Sequence, residues 1–481
     1  MALMKKNFIF NLWLLLVIPF VVEGKIQIPS IFSDNMVLQQ NCDAALWGQA
    51  ERGSTLTITT SWDHRSYTSK VNNLGLWKIN ITTPTAGGPY SITFKENRTD
   101  SLTLNNILIG EVWICSGQSN MGMPMCGNIG ESIENALDAI ITSSKYYNKI
   151  RFYTSRHRGS KNPEYDNPGT NWKICEPIEV QKFSAVSFYF ARYLAESLDV
   201  PVGIINCSWG SSNIEAWMDL NHNKTAKPDI NLQIYDSKIV QKRPAYLYNG
   251  MICPIASYTA RGFIWYQGEA NTEADGYRWY YKQQVALIKN WRAAWNDNKM
   301  PFYMVQIAPY QYSNPQDIQA ALIVEAQEQV TKTVPDCDLV STTDIGNKSC
   351  IHPAQKEIVG LRLAYMVLSS TYKTISSSYK APTYKNVTFI DNKAIIEFNN
   401  STLGFMPIQE IKGFEIAGED RIFKPATVSI LKKGNTQKLC VSNSKIDKPV
   451  AVRYAFRNYI DANLCNTLGI AVLPFRTDNW E

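Results

Sequence analysis

Ser119 lies in the stretch Ser116-Gly117-Gln118-Ser119-Asn120-Met121, directly after an apolar, strand-like run from Val112 to Cys115. A glycine there permits a tight turn, which presents the Ser119 hydroxyl at the strand end. A serine hydroxyl becomes a useful nucleophile only when a base takes its proton; otherwise it reads as a helix-capping serine. Four histidines are available: His64, His157, His222 and His352. His64 falls in a β-patterned region. His157 sits between Arg156 and Arg158, and His222 between Asn221 and Asn223, as solvated loop residues do. His352 follows a strand-like run, precedes Pro353 and stands just before an amphipathic helix that begins near Glu357. That is a loop at a strand end, where a general base belongs.

Two further strand ends carry donors. The run Val202 to Asn206 leads into Cys207-Ser208-Trp209-Gly210, where Gly210 offers a backbone N–H. The run Gly262 to Gln267 leads into Gly268-Glu269-Ala270-Asn271, where Gln267 and Asn271 offer side-chain amides. Acyl transfer needs several such donors converging where negative charge develops on oxygen. Gln118, Asn120 and Glu269 flank these positions and complete the set of candidate oxyanion and substrate-binding residues.

These residues need a scaffold that gathers strand ends. Between Asn106 and about Tyr372, nearly continuous apolar runs (Val112–Cys115, Val202–Asn206, Gly262–Gln267, Phe302–Ala308) alternate with helical stretches. Such runs read as buried parallel strands, and the alternation argues for an α/β domain. In an open sheet of that kind, ligands bind beyond the carboxyl ends of the strands. Tyr281, Val285, Ile288, Trp291 and Trp295 share one helical face; Ile358, Leu361, Tyr365 and Leu368 share another. Before this region, Thr55–Thr59 and Tyr90–Phe94 alternate polar with apolar between glycine turns, as in a small β-sandwich. After it, Val387–Ile390, Ala394–Phe398 and Ala451–Ala455 read as strands. The expected division is 1–24 export signal, 25–106 β, 107–373 α/β, and 374–481 β.

The composition of the 481 residues is that of a soluble globular protein, with 45% hydrophobic and 19% charged residues. The formal charge of +6 is spread without Lys/Arg blocks, which argues against a nucleic-acid partner. Thirteen Trp and 25 Tyr suit stacking against sugar rings as well as large cores. Lys5 and Lys6 precede an apolar run from Phe8 to Val22 and then Glu23-Gly24, the pattern of a cleaved secretory signal. The mature chain is therefore expected to be secreted or periplasmic, without stable membrane insertion. Ten cysteines, none in a CxxC pair, leave disulfides open and a structural zinc site without support.

Four ordered motifs then carry a resemblance: Gly117-Gln118-Ser119-Asn120-Met121; Trp209-Gly210 with Ile214-Glu215-Ala216-Trp217; Trp265-Tyr266-Gln267-Gly268-Glu269-Ala270-Asn271; and Ile351-His352-Pro353. Together with Ile31-Phe32-Ser33-Asp34-Asn35-Met36-Val37-Leu38-Gln39, they resemble the sialate O-acetylesterase branch of the SGNH hydrolases. The resemblance implies an SGNH-like sheet flanked by helices, with Ser119 as acylated nucleophile and His352 as base. It also implies an oxyanion hole from the Ser119 N–H, Gly210 and a third-motif side chain, most plausibly Gln267. It implies no metal or organic cofactor, and an O-acetylated carbohydrate as substrate. Many SGNH enzymes hold an aspartate three residues before the histidine; here that residue is Ser349. Asp344 becomes the candidate third member, with a backbone carbonyl as the alternative. Acetylated sialic acid, with Arg156, Arg158 or Arg261 to pair its carboxylate, is the expected substrate. Acetylated xylan or another plant polysaccharide is the alternative, and noncatalytic carbohydrate binding the rival from outside the enzymes.

Overall fold

The computed structural model describes residues 26–96, 100–230, 238–375, 379–433 and 436–480. The expected export signal at 1–24 lies outside them. The N-terminal region forms β1 (Val37–Gln39), β2 (Cys42–Gln49), β3 (Thr55–Thr60), β4 (Ser66–Lys70), β5 (Leu76–Thr83) and β6 (Gly87–Glu96). β2 pairs with β5, while β3 pairs with β4 and β6, all antiparallel. Alternate residues such as Leu56 and Ile58 on β3, and Ile92 and Phe94 on β6, bury into one apolar core.

β7 (Asp100–Gly117) joins this region to the next. Its first half pairs antiparallel with β6, and its second half lies parallel to β10 (Val202–Ser208) and β11 (Gly262–Tyr266). The division expected at 106/107 therefore falls within one strand. Asn106, at φ 55°, lies at a register shift in the β6 pairing, which continues to Ile109 before β10 takes over from Glu111. The remaining strands are β8 (Ile150–Thr154), β9 (Lys173–Ile174), β12 (Phe302–Val305) and β13 (Cys337–Val340). The sheet order is β13-β12-β11-β7-β10-β8-β9, parallel except at the β9 edge.

The period-2 alternation of these strands supplies two separate cores. Val112, Ile114, Phe263, Trp265, Phe302 and Met304 face one, which continues into the N-terminal β region. Trp113, Cys115, Ile264, Tyr266, Tyr303 and Val305 face the other. Helices Tyr277–Ala294 and Gln319–Thr333 cover the first face; Ala185–Leu198 and Lys356–Ser370 cover the second. Chain order and spatial order part at β7: the chain visits β8, returns through β10, then passes β7 to β11. Such a switch point opens a crevice at the strand ends.

The helix faces differ from those the periodicity suggested. Helix 277–294 buries Leu287, Ile288 and Trp291, but Tyr281, Val285 and Trp295 are only half-buried, and polar Gln283, Gln284 and Asn290 are fully enclosed. On helix 356–370 the buried stripe is Val359, Leu363, Met366 and Val367, while Leu361 is 44% exposed. Gly360 sets that rotation. A Cβ there would lie 2.5 Å from the Tyr189 Cβ and 2.8 Å from the Phe190 nitrogen, so this face alone admits the close crossing with helix 185–198.

The C-terminal strands enclose their own core around Ile396, Phe414, Val452, Tyr454 and Phe475. They dock through Arg476 on Glu325 (2.8–2.9 Å) and through Asn458, whose Oδ1 accepts from the Ala320 N–H at the start of helix 319–333. All ten cysteines are unpaired in this structure. Among the described residues, no helix is long and apolar enough to cross a membrane.

Gly360→Ala should lower unfolding free energy by up to about 2 kcal/mol, since overpacking costs roughly 1–3 kcal/mol and the gain in helix propensity returns about 1. Urea denaturation measures it, and an increase in stability would show that the helix pair relaxes freely.

Candidate active site

Gly117 ends the central strand with β10 on one side and β11 on the other. Its carbonyl accepts from the Trp209 N–H (3.0 Å), and the next N–H, of Gln118, donates to the Tyr266 carbonyl (3.0 Å). Its φ is 138°, and a Cβ would lie 2.1 Å from the Tyr266 oxygen, so only glycine fits. The chain then turns into the short helix Ser119–Gly122, with Ser119 as its first residue.

His352 Nε2 lies 2.8 Å from Ser119 Oγ, and His352 Nδ1 lies 2.8 Å from both carboxylate oxygens of Glu131. A carboxylate only accepts, so Nδ1 carries the proton and Nε2 offers its lone pair to the serine hydroxyl. The acid on the imidazole is thus Glu131. Asp344, the sequence candidate, is held elsewhere: its carboxylate accepts two hydrogen bonds from the Arg362 guanidinium, at 2.8 and 2.7 Å. Glu131 lies in a tight loop in which Asn128 and Glu131 exchange backbone hydrogen bonds, with Gly127 and Gly130 at φ 75° and 78° turning the chain. Partial burial works to raise the Glu131 carboxyl, but hydrogen bonds from Asn128 and His352 outweigh it and hold the group below its ordinary value. The pair is therefore intact at neutral pH and is lost only as acid titrates through that lowered value.

Gly210 approaches the nucleophile: a Cβ on it would lie 3.4 Å from the Ser119 Cβ. Neither its N–H nor that of Ser119 is used by any hydrogen bond among the described residues. Gln118 Oε1 accepts from the Gly268 and Ala270 N–H groups (both 3.3 Å), which leaves its Nε2 for the cleft it lines beside Ser119. Gln267 and Asn271 are differently occupied. Gln267 Nε2 donates to the Ser212 carbonyl (3.0 Å) and Asn271 Oδ1 (2.8 Å). Asn271 Nδ2 donates to Glu215, which also accepts from Gln283. Both amides pin the 210–215 loop instead of facing substrate. The enclosed polar face of helix 277–294 thereby gains a purpose.

Asn120 and Glu269 form a second buried constellation behind the serine. Asn120 Nδ2 donates to Glu269 Oε1 (2.6 Å) and to the Ile351 carbonyl (3.1 Å), while Lys356 Nζ donates to Asn120 Oδ1 (2.5 Å). All three side chains are at least 95% buried. Burial lowers the Lys356 ammonium to about 7 against the opposing pull of Glu269. Burial likewise raises the Glu269 carboxyl, which Asn120 and Lys356 partly offset. Through Asn120, the residue after Ser119 is tied to the residue before His352.

The site opens into a cleft of about 700 Å³ lined by Glu273, Lys242, Tyr310, Tyr312 and Asn458 among others. His157, although exposed, stacks on Trp209 at 4.5 Å and borders a second pocket that touches Ser119. Arg158 pairs with Glu164 and Arg261 with Glu111; neither these nor Arg156 lines either cavity. Among the described residues, no cluster of three His, Cys, Asp or Glu could hold a metal ion.

A parallel sheet with a hydroxyl, an imidazole and a carboxylate in line at its switch point defines a serine-hydrolase architecture. Residues 109–369 match the family described as carbohydrate esterase, sialic acid-specific acetylesterase, and the chain belongs to that family of carboxylic ester hydrolases. It is 26% identical to the sialate O-acetylesterase of Rattus norvegicus, over 93% of each chain. It is 25% identical to that of Homo sapiens, over 89% of this chain and 87% of the other. Among solved structures, a carbohydrate acetylesterase from Xanthomonas citri superposes with a TM-score of 0.85 at 31% identity, covering 95% of this chain and all of that one.

Glu131→Gln should lower turnover on the order of 10²–10⁴-fold, as loss of an integral orienting acid does, whereas Asp344→Ala should leave turnover near wild type. Steady-state kinetics on a chromogenic acetyl ester distinguish the two, and the reverse ranking would return the role to Asp344. Lys356→Met takes the hydrogen bond from Asn120 Oδ1 and the facing charge from the buried Glu269 carboxyl, so Tm should fall. Turnover measured well below the lowered Tm should also fall roughly tenfold with little change in KM, the effect of about one lost hydrogen bond at Asn120. Turnover unchanged at a temperature where the variant is folded would make Lys356 merely a packing residue.

Proposed function

We propose that this protein removes O-acetyl groups from a carbohydrate through an acetyl-Ser119 intermediate. The observation that carries this reading is the in-line contact of Ser119 Oγ, His352 and Glu131. As Oγ attacks the acetyl carbonyl carbon, its proton passes to His352 Nε2, and Glu131 stabilises the imidazolium. The carbonyl oxygen gains negative charge facing the Ser119 and Gly210 N–H groups, with the Gln118 amide as the side-chain donor. The tetrahedral adduct collapses by breaking the bond to the sugar oxygen, which takes the proton from Nε2 and leaves as the free hydroxyl. Water, deprotonated by the same nitrogen, then attacks the acetyl-serine; the bond from the acetyl carbon to Oγ breaks, Oγ takes the proton from Nε2, and acetate leaves.

The substrate we favour is 9-O-acetylated sialic acid, on the strength of the relatives named sialate O-acetylesterase. In this reading the sugar carboxylate pairs with Lys242, the one cation lining the larger cleft among the described residues. A neutral acetylated plant polysaccharide is the second reading. It is favoured by Glu273, whose carboxylate lies 3.9 Å from Lys242 and already offsets its charge. The basic-then-apolar N-terminus supports export to the periplasm or the cell exterior.

Ser119→Ala should reduce acetate release on the order of 10⁶-fold, as removal of a serine nucleophile does elsewhere. Acetate release measured enzymatically checks this, and retention of wild-type turnover would end the proposal. Lys242→Ala should raise KM for 9-O-acetylated sialic acid roughly tenfold, as loss of a charge-assisted hydrogen bond does, but leave KM for acetylated xylose unchanged. Equal effects on both would favour the neutral substrate.

A further inference from the structure

Ser119 stands on the divide between two cavities. The larger cleft lies on the His352 side. On the Gly210 side a second pocket of about 210 Å³ is lined by Asn128, Thr154, His157, Lys182 and Asn206 among others. That volume is below that of a site for a whole ligand, roughly 300 Å³ at the least, and equals the space of roughly seven waters, enough for part of a larger substrate. The two carbons of an acetyl group cannot fill it.

Its walls are built for hydroxyl groups. Asn206 is 3% exposed; its Oδ1 accepts from Ser208 Oγ (2.6 Å), and its Nδ2 has no partner among the described residues. That donor is open to the pocket and is available to an acceptor from a ligand or water. The flat edge of His157, held by stacking on Trp209 and by its Nε2 contact with the Ser208 carbonyl (3.0 Å), forms a rigid side wall. Among the described residues no acidic side chain lines the pocket, and the one cation there, Lys182, lies exposed at the rim. An alkyl chain would strip water from the Asn206 amide without replacing its hydrogen bond, whereas a pyranose brings ring and hydroxyl oxygens.

The geometry points to this pocket as a subsite for the sugar residue linked to the acetylated one. The preferred substrate is then an acetyl ester carried within an oligosaccharide, laid across Ser119, and not a free monosaccharide. The larger cleft takes the acetylated ring near Tyr310 and Tyr312, and its glycosidic neighbour occupies the space beside Asn206. This inference rests on the esterase reading above.

The test compares kcat/KM for free 9-O-acetylated sialic acid with that for 9-O-acetylated sialyllactose, and for acetylated xylose with acetylated xylotriose. In at least one pair the linked substrate should be favoured tenfold or more. Thr154→Trp, at an exposed strand end on the pocket wall, should cut the rate on that linked substrate at least tenfold more than on its monosaccharide. Equal kcat/KM within both pairs, or an equal loss on both members, overturns the subsite. Faster release of butanoate than of acetate from the same sugar also overturns it, assigning the pocket to the acyl chain. If no acetate is released from any substrate, the esterase reading fails, and binding of unacetylated sialyllactose and xylotriose to Ser119→Ala, followed by NMR, still decides the subsite. Binding of either that Thr154→Trp abolishes supports it, and no binding of either rejects it.

Discussion

A single side-chain amide, that of Asn120, holds together chain segments that sequence keeps far apart. It bonds Glu269 after β11, the carbonyl of Ile351 beside the imidazole, and Lys356 at the start of the last helix of the α/β region. A hydroxyl and an imidazole work together only within hydrogen-bond reach, and misplacement by one ångström is costly. Neither Ser119 nor His352 sits inside a long regular element that would fix it. The fully buried amide, with its donor and acceptor both used, does so instead. A half-satisfied version would be worse than an apolar one; here Glu269 Oε2 remains without a protein partner, and the lowered Lys356 ammonium and raised Glu269 carboxyl show the cost of enclosure.

Around that tie, the α/β architecture supplies what the chemistry needs from three strand ends. Gly117 lets β10 and β11 press against the elbow, and the 210–215 loop is locked by Gln267, Asn271, Glu215 and Gln283, which holds Gly210 beside the serine. The polar residues on helix 277–294 are the far wall of this arrangement. Preorganised donors of this sort need no rearrangement when charge develops.

Much of this was legible in the sequence. The α/β alternation, the strand ends and the pairing of Ser119 with His352 followed from apolar runs, a well-placed glycine and the scarcity of histidine. The orienting acid was not, because Glu131 is 221 residues from its histidine. Its signal was the Gly127 and Gly130 turn, which indicates a reversal but not its target. Residue type named Gln267 and Asn271 as donors, yet type does not say which acceptor an amide meets once both are buried. The helix after His352 carries two apolar stripes, one through Leu361 and one through Leu363. Only the close crossing at Gly360 decides between them, and that contact belongs to the partner helix.

Asn458 has a bearing on how such a chain can change over generations. It comes from the C-terminal β region, yet it caps helix 319–333 and stands in the wall of the cleft opposite the serine. A recombination event that exchanged the C-terminal region for an unrelated module would remove a piece of the cleft and leave a helix start bare. Exchanging the trailing β region would therefore carry its cost into the active-site cleft itself.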